Sequence, residues 1–373
     1  MSESETPKKK RVRVLIVDDS ALVREMLTGI LGADPEIEVV GTAPDPIVAR
    51  EKIKALNPDV ITLDVEMPHM NGIDFLEKIM RLRPMPVVMI STLTQEGADT
   101  TLRALELGAV DYVAKPTQRL SESFGALKEA ICSKVKMAAS ARVRGAGTAR
   151  RPVAARAASA ASGGAVPDSP ATARHLDAIA IGASTGGVEA LGEVLAAIPP
   201  GSPGILIVQH MPGNFTGRFA ARLDSNLPLK VAEAQDGDAV LPGSVYIAPG
   251  GRHLALAREA GGKLVCRITE GPAESGHVPS IDHLFRSMAV LGARGVGALL
   301  TGMGRDGAAG LKVMRDAGAF TIAQDAATSV VYGMPRVAVE LDAAAAILPL
   351  SRIANAMLTA GLNADNAANM GGR

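Results

Sequence analysis

The sequence predicts an α/β protein made of two doubly wound parallel-sheet domains. The first is an N-terminal (βα)5 unit and the second a larger C-terminal α/β unit with an antiparallel hairpin insertion. Three observations predict this. Short β-branched runs alternate with amphipathic segments over 11–138, composition breaks over 139–175, and the same alternation resumes over 176–362.

In the first domain the strand candidates are "VRVLIVDD", "IEVVGTA", "DVITLDV", "PVVMIST" and "DYVAKP". Between the first two, Leu22, Val23, Met26, Leu27, Ile30 and Leu31 recur at helical spacing, with Ser20 placed as the cap and Gly32 as the stop. Right-handed crossovers then put helices on both faces of the sheet. The stretch 139–175 is rich in Ala, Gly, Pro and Arg and almost devoid of large apolar side chains, so it reads as a flexible linker with a solvated charge run. A random-coil reach of about 35 Å follows from its length.

The second domain offers strands at "DAIAIGAS", "GILIVQH", "GSVYIAP", "KLVCRIT", "GVGALLTGM", "FTIAQD" and "AAAILPL". Helices are expected at "NFTGRFAARL", "SIDHLFRSMAVLG", "GAAGLKVMRDAG" and "SRIANAMLTAG". Residues 231–270 carry Asp-Gly, Pro-Gly and Gly-Gly turns without helical periodicity, which predicts the hairpin insertion. The tail from 363 to 373 is expected to be frayed.

Bulk properties exclude several classes. The 373 residues balance 39 basic against 39 acidic side chains, so no global attraction to nucleic acid is expected. No apolar run is long enough for bilayer insertion, and "MSESETPKKKRVRV" lacks the apolar core of an export signal. Cys132 and Cys266 are far apart with no metal spacing, which fits free thiols in a reducing compartment. The expected location is cytoplasmic.

Ligands of open parallel sheets bind at the carboxyl ends of the strands. In the first domain those ends carry Asp18 and Asp19, Asp64, Ser91 and Lys115. Converging carboxylates repel, and oxygen ligands favour Mg2+ as the remedy. A carboxylate beside a metal ion and a lysine is equipped to attack a phosphoryl group. "LIVDDS", "ITLDVEMPHMNGIDFL", "MIST" and "YVAKP" together resemble the receiver domain of bacterial response regulators. The resemblance implies Asp64 as phosphoacceptor, with Mg2+ held by Asp18, Asp19, Asp64 and the backbone of Glu66. It also implies Ser91, Tyr112 and Lys115 as switch residues, and a cis peptide into Pro116.

The second domain opens with "IAIGASTGGVEAL", in which "GASTG" satisfies G-x-S-x-G at a strand-to-helix turn. The spacing is not G-x-G-x-x-G and no lysine follows Gly187, so a phosphate cradle lacks its positioning groups. A nucleophile has partners instead. His210 ends "LIVQHMP" and Asp306 lies just past "LLTGMGRDG", which puts Ser184, a base and an orienting carboxylate on one sheet rim. Oxyanion donors are expected from backbone amides, Met303 first and then Thr185 and Gly186. Of the other histidines, His277 could touch substrate, His253 reads as a surface residue, and Asp282 and His283 point apart on their helix.

Receiver, linker and "GASTGG…QHMP…TGMGRDG" together resemble the chemotaxis methylesterase family, CheB. That resemblance implies a phosphorylation-activated serine hydrolase that demethylates γ-glutamyl methyl esters and deamidates glutamines on chemoreceptors. It implies Ser184, His210 and Asp306 as the catalytic residues, with no cofactor for the esterase. Chemoreceptors and a chemotaxis histidine kinase are the implied partners. The unphosphorylated receiver is expected to lie over the rim bearing Ser184. The competing reading is a phosphorylation-controlled hydrolase or nucleotide-binding module with a partner outside chemotaxis.

Overall fold

The computed structural model describes residues 10–67, 70–91, 95–115, 124–143 and 176–368. The first domain runs β1 (Val12–Val17), α1 (Ala21–Gly32), β2 (Ile37–Ala43), α2 (Pro46–Leu56), β3 (Val60–Asp64), α3 (Gly72–Leu82), β4 (Val87–Ser91), α4 (Gln95–Glu106), β5 (Asp111–Ala114) and α5 (Phe124–Ala139). Its five strands are parallel in the order β2-β1-β3-β4-β5. The chain leaves β1 in one direction and β3 in the other, so a crevice opens between the ends of those two strands. Helix starts follow local chemistry. Ser20, Asp45 and Asn71 each accept a first-turn amide, and Pro46 occupies the opening position of α2.

The second domain runs β6 (Ala178–Ala183), α6 (Gly187–Ala196), β7 (Gly204–Gln209), α7 (Gly213–Asn226), β8 (Lys230–Glu233), β9 (Ser244–Ile247), β10 (His253–Arg258) and β11 (Leu264–Thr269). It continues through α8 (Ile281–Met288), a 3-10 turn over Ala289–Arg294, β12 (Gly295–Leu299), α9 (Ala308–Asp316), β13 (Phe320–Gln324), α10 (Met334–Glu340), β14 (Ala346–Leu348) and α11 (Leu350–Ala368). Seven parallel strands form one sheet in the order β14-β13-β12-β6-β7-β9-β8. Strands β6, β7 and β12 are buried along their whole length, which explains their unbroken apolar runs.

Within 231–270 the expected hairpin is β10–β11, antiparallel and forming its own two-stranded sheet. Strands β8 and β9, in contrast, are parallel members of the main sheet, joined without a helix. Their crossover finds its backbone partners on β11 instead. Gly237 donates to Cys266, Cys266 to Asp238 and Val240 to Leu264.

Helix α11 remains helical to Ala368, past the start of the expected frayed tail. The opening of the expected linker lies on the second domain. Arg142 N–H donates to Val330 O at 3.1 Å and its guanidinium to Ala326 O at 2.9 Å. The rest of that stretch, together with His69, Pro116 and His175, lies outside the described residues. Cys132 and Cys266 are buried free thiols. Among the described residues no helix is long and apolar enough to cross a membrane.

Candidate active site

Strand β6 is central in its sheet, with β7 on one side and β12 on the other, so the turn after it sits at a topological switch point. Both neighbours pin that turn. Ser184 N–H donates to Thr301 O at 3.0 Å, Gln209 Nε2 to Ser184 O at 3.0 Å, and Thr301 Oγ1 to Thr185 O at 3.0 Å. The two glycines that follow are required by space. Gly186 has φ +75°, and a Cβ on Gly187 would stand 2.1 Å from Gln209 Oε1.

The rim brings Ser184, His210 and Asp306 together. His210 Nδ1 lies 3.2 Å from Ser184 Oγ, and Nε2 lies 2.8 Å from Asp306 Oδ2. The buried carboxylate therefore holds a proton on Nε2 and leaves Nδ1 as the acceptor facing the hydroxyl. Serine proteases use the ring in the opposite sense.

Asp306 is itself held by the start of α8. Ser280 Oγ, Ile281 N–H, Asp282 N–H and its own neighbour Gly307 N–H all donate to it, between 2.7 and 3.1 Å. Burial opposes its charge, but the hydrogen bonds from His210 and the α8 amides prevail and hold the carboxyl down to about 2. It is an anion at a helix N-terminus, where the aligned amides favour one.

Other histidines fall differently from expectation. His253 is buried, not on the surface. It accepts from Ser280 N–H on Nδ1 at 3.2 Å and faces Pro272 O through Nε2 at 3.1 Å, so it braces the cap of α8. His277 stacks on His210 with ring centroids 3.7 Å apart. Burial, and then the charge His210 can carry, push His277 down to about 4, so it is neutral at ordinary pH. Asp282 and His283 do point apart, Asp282 to Gly310 N–H and His283 to Glu274. Sequence reasoning missed the stacking of His277 and the bracing role of His253, because both depend on how a polar loop folds back over the rim.

A cavity of about 670 Å³ lies in front of Ser184 and has two walls. One carries Ser184, Thr185, His210, His277 and Met303; the other comes from β5 and α5 of the first domain. Across this boundary Thr185 Oγ1 donates to Asp111 Oδ2 at 2.6 Å, and the Tyr112 ring stacks on Phe215 at 4.9 Å. Arg218 pairs with Asp99 and Arg222 with Glu106, so α4 is clamped to α7. One apolar cluster runs from Leu105, Ala109 and Tyr112 into Leu191, Phe215 and Phe219.

In the first domain Asp18, Asp19 and Asp64 offer carboxylate oxygens all within 4.8 Å of one another. Lys115 Nζ stands 2.7 Å from Asp64 and 3.7 Å from Asp18. Burial raises the Asp64 carboxyl to about 6, against the pull of Lys115, and Asp18 is also raised, chiefly by burial. Asp18 Oδ2 is buried without a hydrogen-bond partner. An orphaned carboxylate oxygen beside two more carboxylates fits a hard divalent cation. Glu66 N–H donates to Asp64 Oδ1 at 3.3 Å. Ser91 is buried and accepts from Thr101 Oγ1 at 2.7 Å.

Comparison with known proteins agrees with both halves. Residues 14–123 match the response regulator receiver domain, and residues 179–357 match the CheB methylesterase. The chain is 53% identical over 356 residues to protein-glutamate methylesterase/protein-glutamine glutaminase 1 of Xanthomonas campestris, covering 95% of this chain and 97% of that one. It is 54% identical over 355 residues to the Caulobacter vibrioides protein of the same description, with 93% and 97% covered. The solved CheB methylesterase catalytic domain of Thermotoga maritima is 37% identical, covers 49% of this chain and 97% of its own, and aligns with a TM-score of 0.48.

A receiver and an output domain of the methylesterase type make this a response regulator whose output is an enzyme. The chain belongs to the protein-glutamate methylesterase/protein-glutamine glutaminase family, CheB.

Proposed function

We propose that the chain demethylates γ-glutamyl methyl esters, and deamidates glutamines, on the cytoplasmic helices of chemoreceptors, under control of phosphorylation at Asp64 by a chemotaxis histidine kinase. The observation that carries the chemistry is the Ser184–His210–Asp306 arrangement, with contacts of 3.2 and 2.8 Å. Ser184 Oγ attacks the side-chain carbonyl while His210 Nδ1 takes its proton. Asp306 steadies the imidazolium, and the same nitrogen returns the proton to the departing methoxide or ammonia. Water then hydrolyses the acyl-serine by the reverse transfer. Ester and amide present the same carbonyl, so one site serves both. Met303 N–H, with Thr185 and Gly186 N–H, receives the oxyanion.

At the receiver, Asp18, Asp19 and Asp64 with the Glu66 backbone would hold Mg2+, which supplies charge neutralisation for phosphoryl transfer. Lys115 orients the phosphoacceptor, and Ser91 and Tyr112 sense the modification. Tyr112 and Asp111 share strand β5 with the approach to Lys115 and also touch the second domain. A change at Asp64 therefore has a short route to the interface, and phosphorylation shifts the population toward a form with the Ser184 rim uncovered.

The test is methanol release from methylated receptor membranes, and ammonia release from receptors bearing glutamine at the same sites. Both should rise when a small phosphodonor and Mg2+ are added. Stimulation of neither would refute the reading.

A further inference from the structure

We propose that His253 is a positioning residue for the reaction: its Nδ1 lone pair places the start of α8, which in turn directs the Asp306 carboxylate onto His210. This rests on Ser184, His210 and Asp306 acting as the catalytic residues. His253 touches none of the reacting groups, so its effect passes through Ser280.

The ring is held in one tautomer and one plane. It is 2% exposed at the first position of β10, where the antiparallel ladder to β11 fixes its backbone. Nδ1 faces Ser280 N–H at 3.2 Å and Nε2 faces Pro272 O at 3.1 Å. An amide hydrogen is met only by a lone pair and a carbonyl only by a hydrogen, so Nδ1 accepts and Nε2 donates. The His283 ring lies along its face at 4.6 Å, and Glu274 Oε1 holds His283 Nδ1 at 2.8 Å. His253 cannot turn over without leaving the buried Ser280 N–H unpaired.

Ser280 carries that placement to the site. Its hydroxyl donates to Asp306 Oδ1 at 2.8 Å, and the next two amides, of Ile281 and Asp282, reach the same carboxylate at 2.7 and 3.1 Å. Three donors to Asp306 thus come from consecutive residues, the first of which has its own amide fixed by His253. A shift of that turn by a fraction of an ångström moves the carboxylate and redirects the His210 ring that faces Ser184. The other nitrogen of His253 serves a different support. Pro272 belongs to the loop that lays His277 on the face of the His210 ring.

Two substitutions separate the nitrogens. In His253→Asn the side-chain oxygen stands where Nδ1 stood and accepts from Ser280 N–H, while the bond to Pro272 O is lost. In His253→Gln the side-chain amide reaches Pro272 O, and nothing accepts at the Nδ1 position. Each variant loses one hydrogen bond, so a purely structural role would cost both alike.

The experiment follows methanol release from methylated receptor membranes by the full, phosphodonor-treated chain over a range of receptor concentrations. The expected kcat is within about threefold of the parent for His253→Asn and at least about tenfold lower for His253→Gln, with KM in both within about twofold. Ser280→Ala keeps both bonds of His253 and removes one donor to Asp306, so it tests the route even if His253→Gln does not fold. Its kcat should fall severalfold with KM unchanged. Equal losses in the Asn and Gln variants, an undiminished kcat in His253→Gln, or an unchanged kcat in Ser280→Ala would overturn the proposal. Parental activity in Asp306→Asn would instead remove the catalytic reading on which it rests.

Discussion

Thr185, the residue after the candidate nucleophile, donates its hydroxyl to Asp111 of the receiver at 2.6 Å, and both residues are 8% exposed. A signal domain thus grips the residue beside the serine through one charge-assisted hydrogen bond. Such a bond contributes about 2 kcal/mol, which allows roughly a 30-fold change in the balance between seated and released receiver.

Asp111→Ala should therefore raise methanol release by the unphosphorylated chain, by several-fold up to that ceiling. The phosphodonor-treated rate should stay within about twofold of the parent. A basal rate that does not rise would mean the grip is not a determinant of the closed state.

The second clamp is ionic and more exposed. Arg222 pairs with Glu106 with about a third of each side chain accessible, so it contributes about 1 kcal/mol or less. Arg222→Glu removes that attraction and adds repulsion from Glu106, so basal activity should rise by a few-fold to at most roughly 30-fold. Adding Glu106→Arg to it should restore most of the restraint, and the difference should shrink in high salt. A double-mutant cycle with no coupling would contradict this.

Asp306, the buried carboxylate facing His210, also bears on acid stability. Its carboxyl is held near 2 in the fold, below the usual value near 3.8. Its contribution is therefore complete above about pH 4 and disappears as pH falls from there toward 2, amounting to about 2 kcal/mol. Denaturant titrations of the parent should lose stability through that window, and Asp306→Asn should be less stable at pH 7 with a shallower acid decline. Parallel pH curves for the two would remove Asp306 as the source.

Gly302 tests the geometry without touching a functional group. A Cβ there would stand 2.7 Å from Ser184 Cβ and 2.5 Å from the terminal methyl of Met334. The methionine can swing away at low cost, but Ser184 is fixed by its backbone bonds. Gly302→Ala should lower kcat by at least about tenfold with little change in KM and a modest fall in Tm. An unchanged kcat would show that Ser184 tolerates displacement.

Much of the arrangement can be read from residue order. Strand-end residues of a parallel sheet share one rim, so Ser184, His210 and the turn bearing Asp306 converge because β6, β7 and β12 are neighbours. The same logic gathers Asp18, Asp64 and Lys115. Less legible is whatever depends on loops finding each other. The β8–β9 crossover takes its backbone partners from β11; its turns argue against a helix, but nothing in the local sequence names that partner or the parallel pairing of β8 with β9. His253 looks like a surface residue after a Pro-Gly-Gly turn, yet Ser280 and Pro272 take up both its ring nitrogens in the interior. Asp111 reads as an ordinary strand-start acid, because its partner Thr185 is 74 residues away in another domain.

The central claim is that Ser184 forms the acyl bond. It is tested most directly by methanol release from methylated receptor membranes with phosphodonor-treated Ser184→Ala, after confirming that its receiver still takes up phosphate. The expected rate is at least about a thousandfold below the parent. A rate within tenfold of the parent would mean that the hydroxyl facing His210 is not the nucleophile.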